Sequence, residues 1–193
     1  RCLNIQIIQK SMKAQLNYIN DLLDLIKFES DDIPITLEET NFIKILDICL
    51  PGLKLLAKNK NITINIENFS EEKIKVDVPK IIQILNNLIS NAIKFTNIGG
   101  TININIFKNN INEIEFHVID TGIGIPEEKL EKLFANNKKF SSTGTAGEKG
   151  TGLGLEICKR LVEIHGGKIN AISGHKGSNF YFTIPLSVSK ATN

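Results

Sequence analysis

Asn87-Leu88-Ile89-Ser90-Asn91-Ala92-Ile93-Lys94-Phe95-Thr96 and, further on, Asp120-Thr121-Gly122-Ile123-Gly124-Ile125-Pro126 are the stretches on which the reading of this chain turns. In the first, Ile81, Ile84, Leu85, Leu88 and Ile89 form an apolar stripe at helical spacing. Asn87 and Asn91, four apart, stack on another face, and Lys94 follows three residues later. In the second, an apolar run over 114–119 ends in the Asp120 carboxylate, and glycines stand at 122 and 124. A third segment, Gly150-Thr151-Gly152-Leu153-Gly154-Leu155, opens another helix with small residues.

Each group has a definite chemistry. Amide oxygens are neutral hard ligands that suit Mg²⁺ when a phosphate brings the negative charge. A lysine neutralises phosphate as a point charge. A carboxylate at a strand end can accept from an exocyclic amine, a bond that separates adenine from guanine. Glycines admit close backbone approach, and a glycine-rich helix start offers N–H groups and a positive dipole end to phosphate. Together the three segments read as a nucleotide pocket. A calcium loop starting at Asp120 is excluded, because Gly122 and Gly124 occupy positions that need oxygen ligands. A dinucleotide fingerprint at 150–155 fails because position 155 is Leu and no strand immediately precedes it, and the P-loop pattern is absent.

Outward from these stretches, strand and helix patterns alternate. Residues 35–37 suggest a short strand, Asn41 caps a helix over 42–58, and Ile62, Ile64 and Ile66 alternate as a half-buried strand. Residues 74–76 suggest another strand, and Asp77 caps the helix that carries the first stretch, with Pro79 in its first turn. The alternating runs 102–106 and 114–118 form a hairpin, 127–134 a short helix, 151–165 a helix, and 168–172 and 180–184 a closing strand pair. Residues 135–150 form a long polar loop of the kind that serves as a lid. The expected fold is α+β, a two-layer sandwich with helices on one face of a mixed sheet. Residues 1–30 form a heptad-like helix whose stripe Ile5, Ile8, Met12, Ile19, Leu22, Ile26 is broken only by Gln15. Residues 31–34 read as a linker, 35–187 as the domain and 188–193 as a tail.

The 193 residues, 41% hydrophobic and 23% charged with a net charge of +2, describe an ordinary globular composition. That charge makes no case for nucleic acid or an anionic membrane as partner, and no apolar run is long enough to span a bilayer. Cys2, Cys49 and Cys158 are far apart and lack metal spacing, which fits reduced thiols of a cytosolic protein. Beginning at Arg1, the chain is expected to be a piece of a longer protein.

In order and spacing the three segments resemble the catalytic and ATP-binding domain of sensor histidine kinases. That family belongs to a superfamily with gyrase, a heat-shock chaperone and a mismatch-repair ATPase. Residues 87–96 match the family's N box, 120–126 its first glycine box, Leu133-Phe134 a short F box and 150–155 its second glycine box. Residues 177–185 match its closing strand, and 1–29 resemble the second helix of its dimerisation and phosphotransfer hairpin. The resemblance implies a Bergerat-type fold, with ATP and Mg²⁺ as ligands. Asn87 would hold Mg²⁺, with Asn91 contacting phosphate or metal. Lys94 would contact phosphate, and Phe95 would wall the pocket. Asp120 would bind the adenine amine, with Thr183 as a second contact, and Gly122, Gly124 and Ile125 would shape the base pocket. Gly150, Thr151, Gly152, Leu153 and Gly154 would line the phosphates. The implied partners are a phosphoacceptor helix outside this chain, a response regulator receiver domain and a second copy in a parent homodimer.

In the ATP-hydrolysing relatives a glutamate stands where this chain has Asn87. An amide cannot take a proton at neutral pH, so the expectation is phosphoryl transfer to a positioned acceptor rather than hydrolysis. His117, His165 and His175 fall in a strand, at a helix end and in a turn, and none is expected to be the acceptor. Lys138, Lys139 and Lys149 of the lid are alternatives for a γ-phosphate contact. Two other readings remain open: a degenerate nucleotide-binding or dimerisation module, and a conformational ATPase.

Overall fold

The computed structural model describes residues 12, 15, 19, 23, 26, 34–130, 132–134, 143–148, 150–174 and 176–186. Most of the expected N-terminal helix, linker and lid (with Lys138, Lys139 and Lys149), the tail and His175 lie outside that set. Met12, Gln15, Ile19, Leu23 and Ile26 are helical and exposed. No helix among the described residues is long and apolar enough to cross a membrane.

The central layer is a five-stranded sheet in the order β2-β4-β5-β7-β6. Its strands are β2 (Thr63–Asn68), β4 (Thr101–Lys108), β5 (Glu113–Asp120), β6 (Ile169–Gly174) and β7 (Gly177–Pro185). Only β2 and β4 pair in parallel, and the remaining ladders are antiparallel. A separate two-stranded ladder joins β1 (Glu38–Thr40) to β3 (Ile74–Val76). The helices are α1 (Phe42–Lys58), α2 (Val78–Phe95), α3 (Glu127–Leu130) and α4 (Gly154–Ile164). The result is the α+β sandwich expected from the alternation of patterns.

Local chemistry sets the element ends. Asn41 Oδ1 accepts from Lys44 N at 3.0 Å and starts α1. Asp77 Oδ1 accepts from Lys80 N at 3.2 Å and starts α2. The short strand forms three residues later than expected, because Thr36 N donates to Asp77 Oδ2 at 3.1 Å. Thr36 is thus tied to the cap of α2 instead of a ladder. Helix α3 stops at Leu130, short of Phe134. Helix α4 begins at Gly154 rather than at 151, since Gly152 sits at φ +76 and Thr151 Oγ1 accepts from Leu153 N at 3.3 Å. The closing strands run longer than expected at both chain positions.

The core lies between the sheet and α1, α2 and α4. Ile102, Ile104 and Ile106 of β4, Ile114, Phe116 and Val118 of β5, and Phe180, Phe182 and Ile184 of β7 turn inward. Phe42 at the start of α1 packs on Phe116 at 5.3 Å and on Phe182 at 6.0 Å between ring centroids. The alternation along β5 matters for the site. Its inward set is Ile114, Phe116, Val118 and then Asp120, so strand period alone carries the carboxylate to the helix-facing side.

Candidate functional site

Asp120 is 3% exposed. Its Oδ1 accepts from Gly122 N at 2.8 Å and Ser178 N at 3.4 Å, and its Oδ2 from the Ser178 hydroxyl at 2.7 Å. Burial pushes its pKa up, while the Ser178 hydroxyl and the two N–H groups pull it back toward the charged form. A carboxylate offers about four acceptor positions. The described residues fill three of them.

The first glycine box folds back on the end of α2. Ile123 N donates to Phe95 O at 3.2 Å, and a Cβ at Gly122 would overlap that same carbonyl oxygen. Gly124, at φ +69, lies so close to Gly174 O that no side chain fits. Ile125 N donates to Ser173 Oγ at 2.7 Å, and Ser173 Oγ donates to Gly177 O at 3.0 Å. The loop after β5 is therefore pinned on one side to α2 and on the other to the β6–β7 turn.

The polar face of α2 is half-buried rather than solvated: Asn87, Asn91, Lys94 and Phe95 all fall between core and surface. The second glycine segment runs along this face in the opposite direction. A Cβ on Gly154 would stand 3.2 Å from Asn87 Oδ1, and one on Gly150 would stand 2.9 Å from Lys94 Nζ. Lys94 Nζ sits 4.6 Å from the Phe95 ring centroid. Burial pulls the Lys94 pKa down, and the Glu148 carboxylate pulls it the other way.

Two expected contacts change. Leu153 is 1% exposed, its side chain buried in the core, so only its backbone can border a ligand. Thr183 lies away from Asp120. The register pairs Asp120 with Ser178 and Glu115 with Thr183. Five residues along a strand is about 17 Å and an odd step, which puts Thr183 on the opposite face. Its hydroxyl accepts from Lys168 N at 3.1 Å. Ser178 takes the place beside the carboxylate. Strand period points to it only once β5 is known to pair with β7, because the last inward residue of β5 then meets the first inward residue of its antiparallel neighbour. Lys60, Thr145 and Glu148, which gather at the C-terminal end of α2, carry no such signal.

Among the described residues no group of three His, Cys, Asp or Glu side chains could hold a metal. Asn87 and Asn91 are neutral donors, which fits a Mg²⁺ ion whose charge is met by phosphates.

A buried strand-end carboxylate, an amide-bearing helix and a glycine-rich segment crossing it together define a nucleotide-binding α+β domain. Residues 76–188, more than half of the chain, match the family described as histidine kinase-, DNA gyrase B- and HSP90-like ATPase, and the chain belongs to that family. It is 33% identical over 186 residues to the sensor histidine kinase WalK of Bacillus subtilis, covering 94% of this chain and 30% of that protein. The structure of full-length ShkA in complex with AMPPNP is similar, with a TM-score of 0.80 and 25% identity over 97% of this chain and 39% of that one. So is histidine kinase ThkA in complex with the response regulator TrrA, with a TM-score of 0.76 and 27% identity over 97% of this chain and 52% of that one. The chain thus carries an ATP-binding catalytic domain of the histidine-kinase type, and spans about a third of the length of WalK.

Proposed function

We propose that this domain binds Mg-ATP and donates the γ-phosphoryl group to a histidine on a hairpin helix outside this chain. The observation that carries the reading is the 3%-exposed Asp120 carboxylate, held by Ser178 and Gly122, together with the half-buried Asn87, Asn91, Lys94 and Phe95 of α2. Asp120 receives the exocyclic amine of adenine, and the backbone of 122–125 bounds the ring. Lys94 and the N–H groups at the start of α4 meet the phosphates. Asn87 and Asn91 would hold Mg²⁺, whose chemistry is to neutralise charge on the phosphate oxygens and orient them.

What the chain's own residues supply is alignment and electrostatics, the main needs of phosphoryl transfer. An amide at Asn87 supplies no base for water, so transfer to a positioned acceptor is favoured over hydrolysis. The acceptor is not one of the described histidines. His117 is stacked between Phe107 and Tyr181 on the outer sheet face, and His165 is 7% exposed and accepts from Asp77 N at 3.0 Å. The parent protein is read as a cytosolic or cytosol-facing homodimer that passes phosphate to a receiver domain. The receiver-domain step draws on the response regulator bound in the ThkA complex.

A calorimetric titration tests the reading. ATP should bind more tightly with Mg²⁺ than without it, and at least tenfold more tightly than GTP, about 1.4 kcal/mol. The chain alone should place no labelled phosphate on His117, His165 or His175. Equal affinity for ATP and GTP, or steady hydrolysis in the absence of an acceptor, would overturn it.

A further inference from the structure

We propose that Lys60 and Glu148 are positioning residues for the phosphate end of the site: their ion pair clasps the turn 143–148 onto the last turn of α2 and fixes the Gly150 backbone against the Lys94 ammonium. The proposal rests on the nucleotide-binding reading above and adds to it two residues that touch no ligand.

Lys60 follows α1 and is buried, with its side chain 9% exposed. Its ammonium donates to Ile93 O at 2.8 Å, Lys94 O at 3.1 Å, Thr145 Oγ1 at 2.7 Å and Glu148 Oε1 at 3.0 Å. Three N–H groups serve four acceptors, so at least one is shared. Two of those acceptors are C-terminal carbonyls of α2, which lack helix partners and present the negative end of the dipole. A buried ammonium is held only where such groups surround it.

The turn it holds is closed on itself. Gly144 N donates to Glu148 O at 2.8 Å, and Ala146 N donates to Glu148 Oε2 at 2.8 Å. It is also sewn to α2, since Thr145 N donates to Lys94 O at 3.0 Å and Thr145 Oγ1 lies 2.8 Å from Thr96 O. Glu148 therefore has one carboxylate oxygen on the clasp and the other on the turn. Two residues later the backbone passes Lys94 Nζ, and four residues further it meets Asn87. Slippage of the clasp would move the phosphate-facing backbone relative to Lys94. It would leave Asp120 alone, because that carboxylate is held by Ser178 and Gly122.

The design separates the two ends of the nucleotide. Lys60→Met and Glu148→Gln, singly and together in the 193-residue chain, are titrated with adenosine and with Mg-ATP. Exchange of the Thr145 and Ala146 amides is followed by NMR. Gln at 148 offers one acceptor oxygen to two donors, Lys60 Nζ and Ala146 N, so it opens the clasp at a partly exposed site with little risk to folding. Expected are adenosine affinity unchanged within about twofold, an ATP-to-adenosine affinity ratio about tenfold lower in each single variant, and little further loss in the double. Amide exchange at 145 and 146 should speed up. Lys60→Arg should recover most of the ratio, since a guanidinium can serve the same carbonyls and carboxylate. A lowered stability with an unchanged ratio in Glu148→Gln would overturn the proposal and leave the clasp purely structural. A wild-type chain that binds neither adenosine nor ATP would overturn the nucleotide reading itself, and this proposal with it.

Discussion

Asp120 is a carboxylate at 3% exposure, held by Ser178 and Gly122, and such a group costs the ligand-free fold something. Burial raises its pKa above the ordinary 3.8. Its favourable contribution is present below that unfolded value and is lost as pH rises through the folded one. Asp120→Asn should keep every bond: the amide oxygen can accept from Gly122 N and Ser178 N, and the amide NH₂ can donate to Ser178 Oγ. The ligand-free variant should therefore melt no lower than wild type at neutral pH, with any advantage shrinking toward about pH 4. Its ATP affinity should fall by about 1–3 kcal/mol. Paired thermal melts and titrations check both signs, and a lower melting point at neutral pH would contradict the burial cost. Ser178 and Thr183 separate in the same assay. Ser178→Ala should weaken ATP binding. Thr183→Val, which strips Lys168 N of its partner, should cost about 1 kcal/mol of stability and leave the affinity alone.

At the scale of elements, α2 carries the site and its N-terminus is held across the core. Asp77 caps it and pairs with Lys80 Nζ at 2.6 Å, while His165 at the end of α4 accepts from Asp77 N. The other ring nitrogen, Nδ1, lies 2.6 Å from Leu161 O, which fixes the neutral tautomer with the proton on Nδ1. Burial lowers the His165 pKa below 6.5, against the Leu161 carbonyl and the Asp77 carboxylate. The folded state then resists a proton that the unfolded chain takes up, so stability falls as pH drops below about 6.5. Asp77 adds to this at lower pH. Burial pushes its pKa up, but Lys80 and the N–H groups of Thr36 and Lys80 outweigh that and leave it below 3.8. Urea unfolding at about pH 7.5 and about pH 5.5 should show wild type losing stability and His165→Gln changing less. An equal loss in both would remove His165 from the account. Helices α1 and α2 and the β4–β5 hairpin were legible in the sequence because local period sets them, and the caps Asn41 and Asp77 start the two helices. The displaced β1 and the late start of α4 were not, since a distant carboxylate and a left-handed glycine decide them.

Over the whole molecule, the packing centre is the Phe42, Phe116 and Phe182 cluster, with Phe116 and Phe182 stacked at 5.4 Å. It joins α1 to β5 and β7 and so supports the strand end where Asp120 sits. Phe116→Ala should cost about 3–5 kcal/mol, read as a lower urea midpoint. Substituting Phe107, half outside on the other sheet face, should cost far less, and equal losses would deny the cluster its place at the centre.

Sequence by itself determined the polar face of α2, the inward turn of Asp120 and the glycine placement, because period and backbone freedom are local properties. It also excluded a calcium loop and a P-loop by the residues present. Only the tertiary structure decided that Ser178 rather than Thr183 meets Asp120, that Leu153 belongs to the core, and that Lys60 reaches Glu148. Those depend on strand register and on chain segments far apart in sequence. Side chains that meet only after the sheet and helices have packed leave no spacing to read.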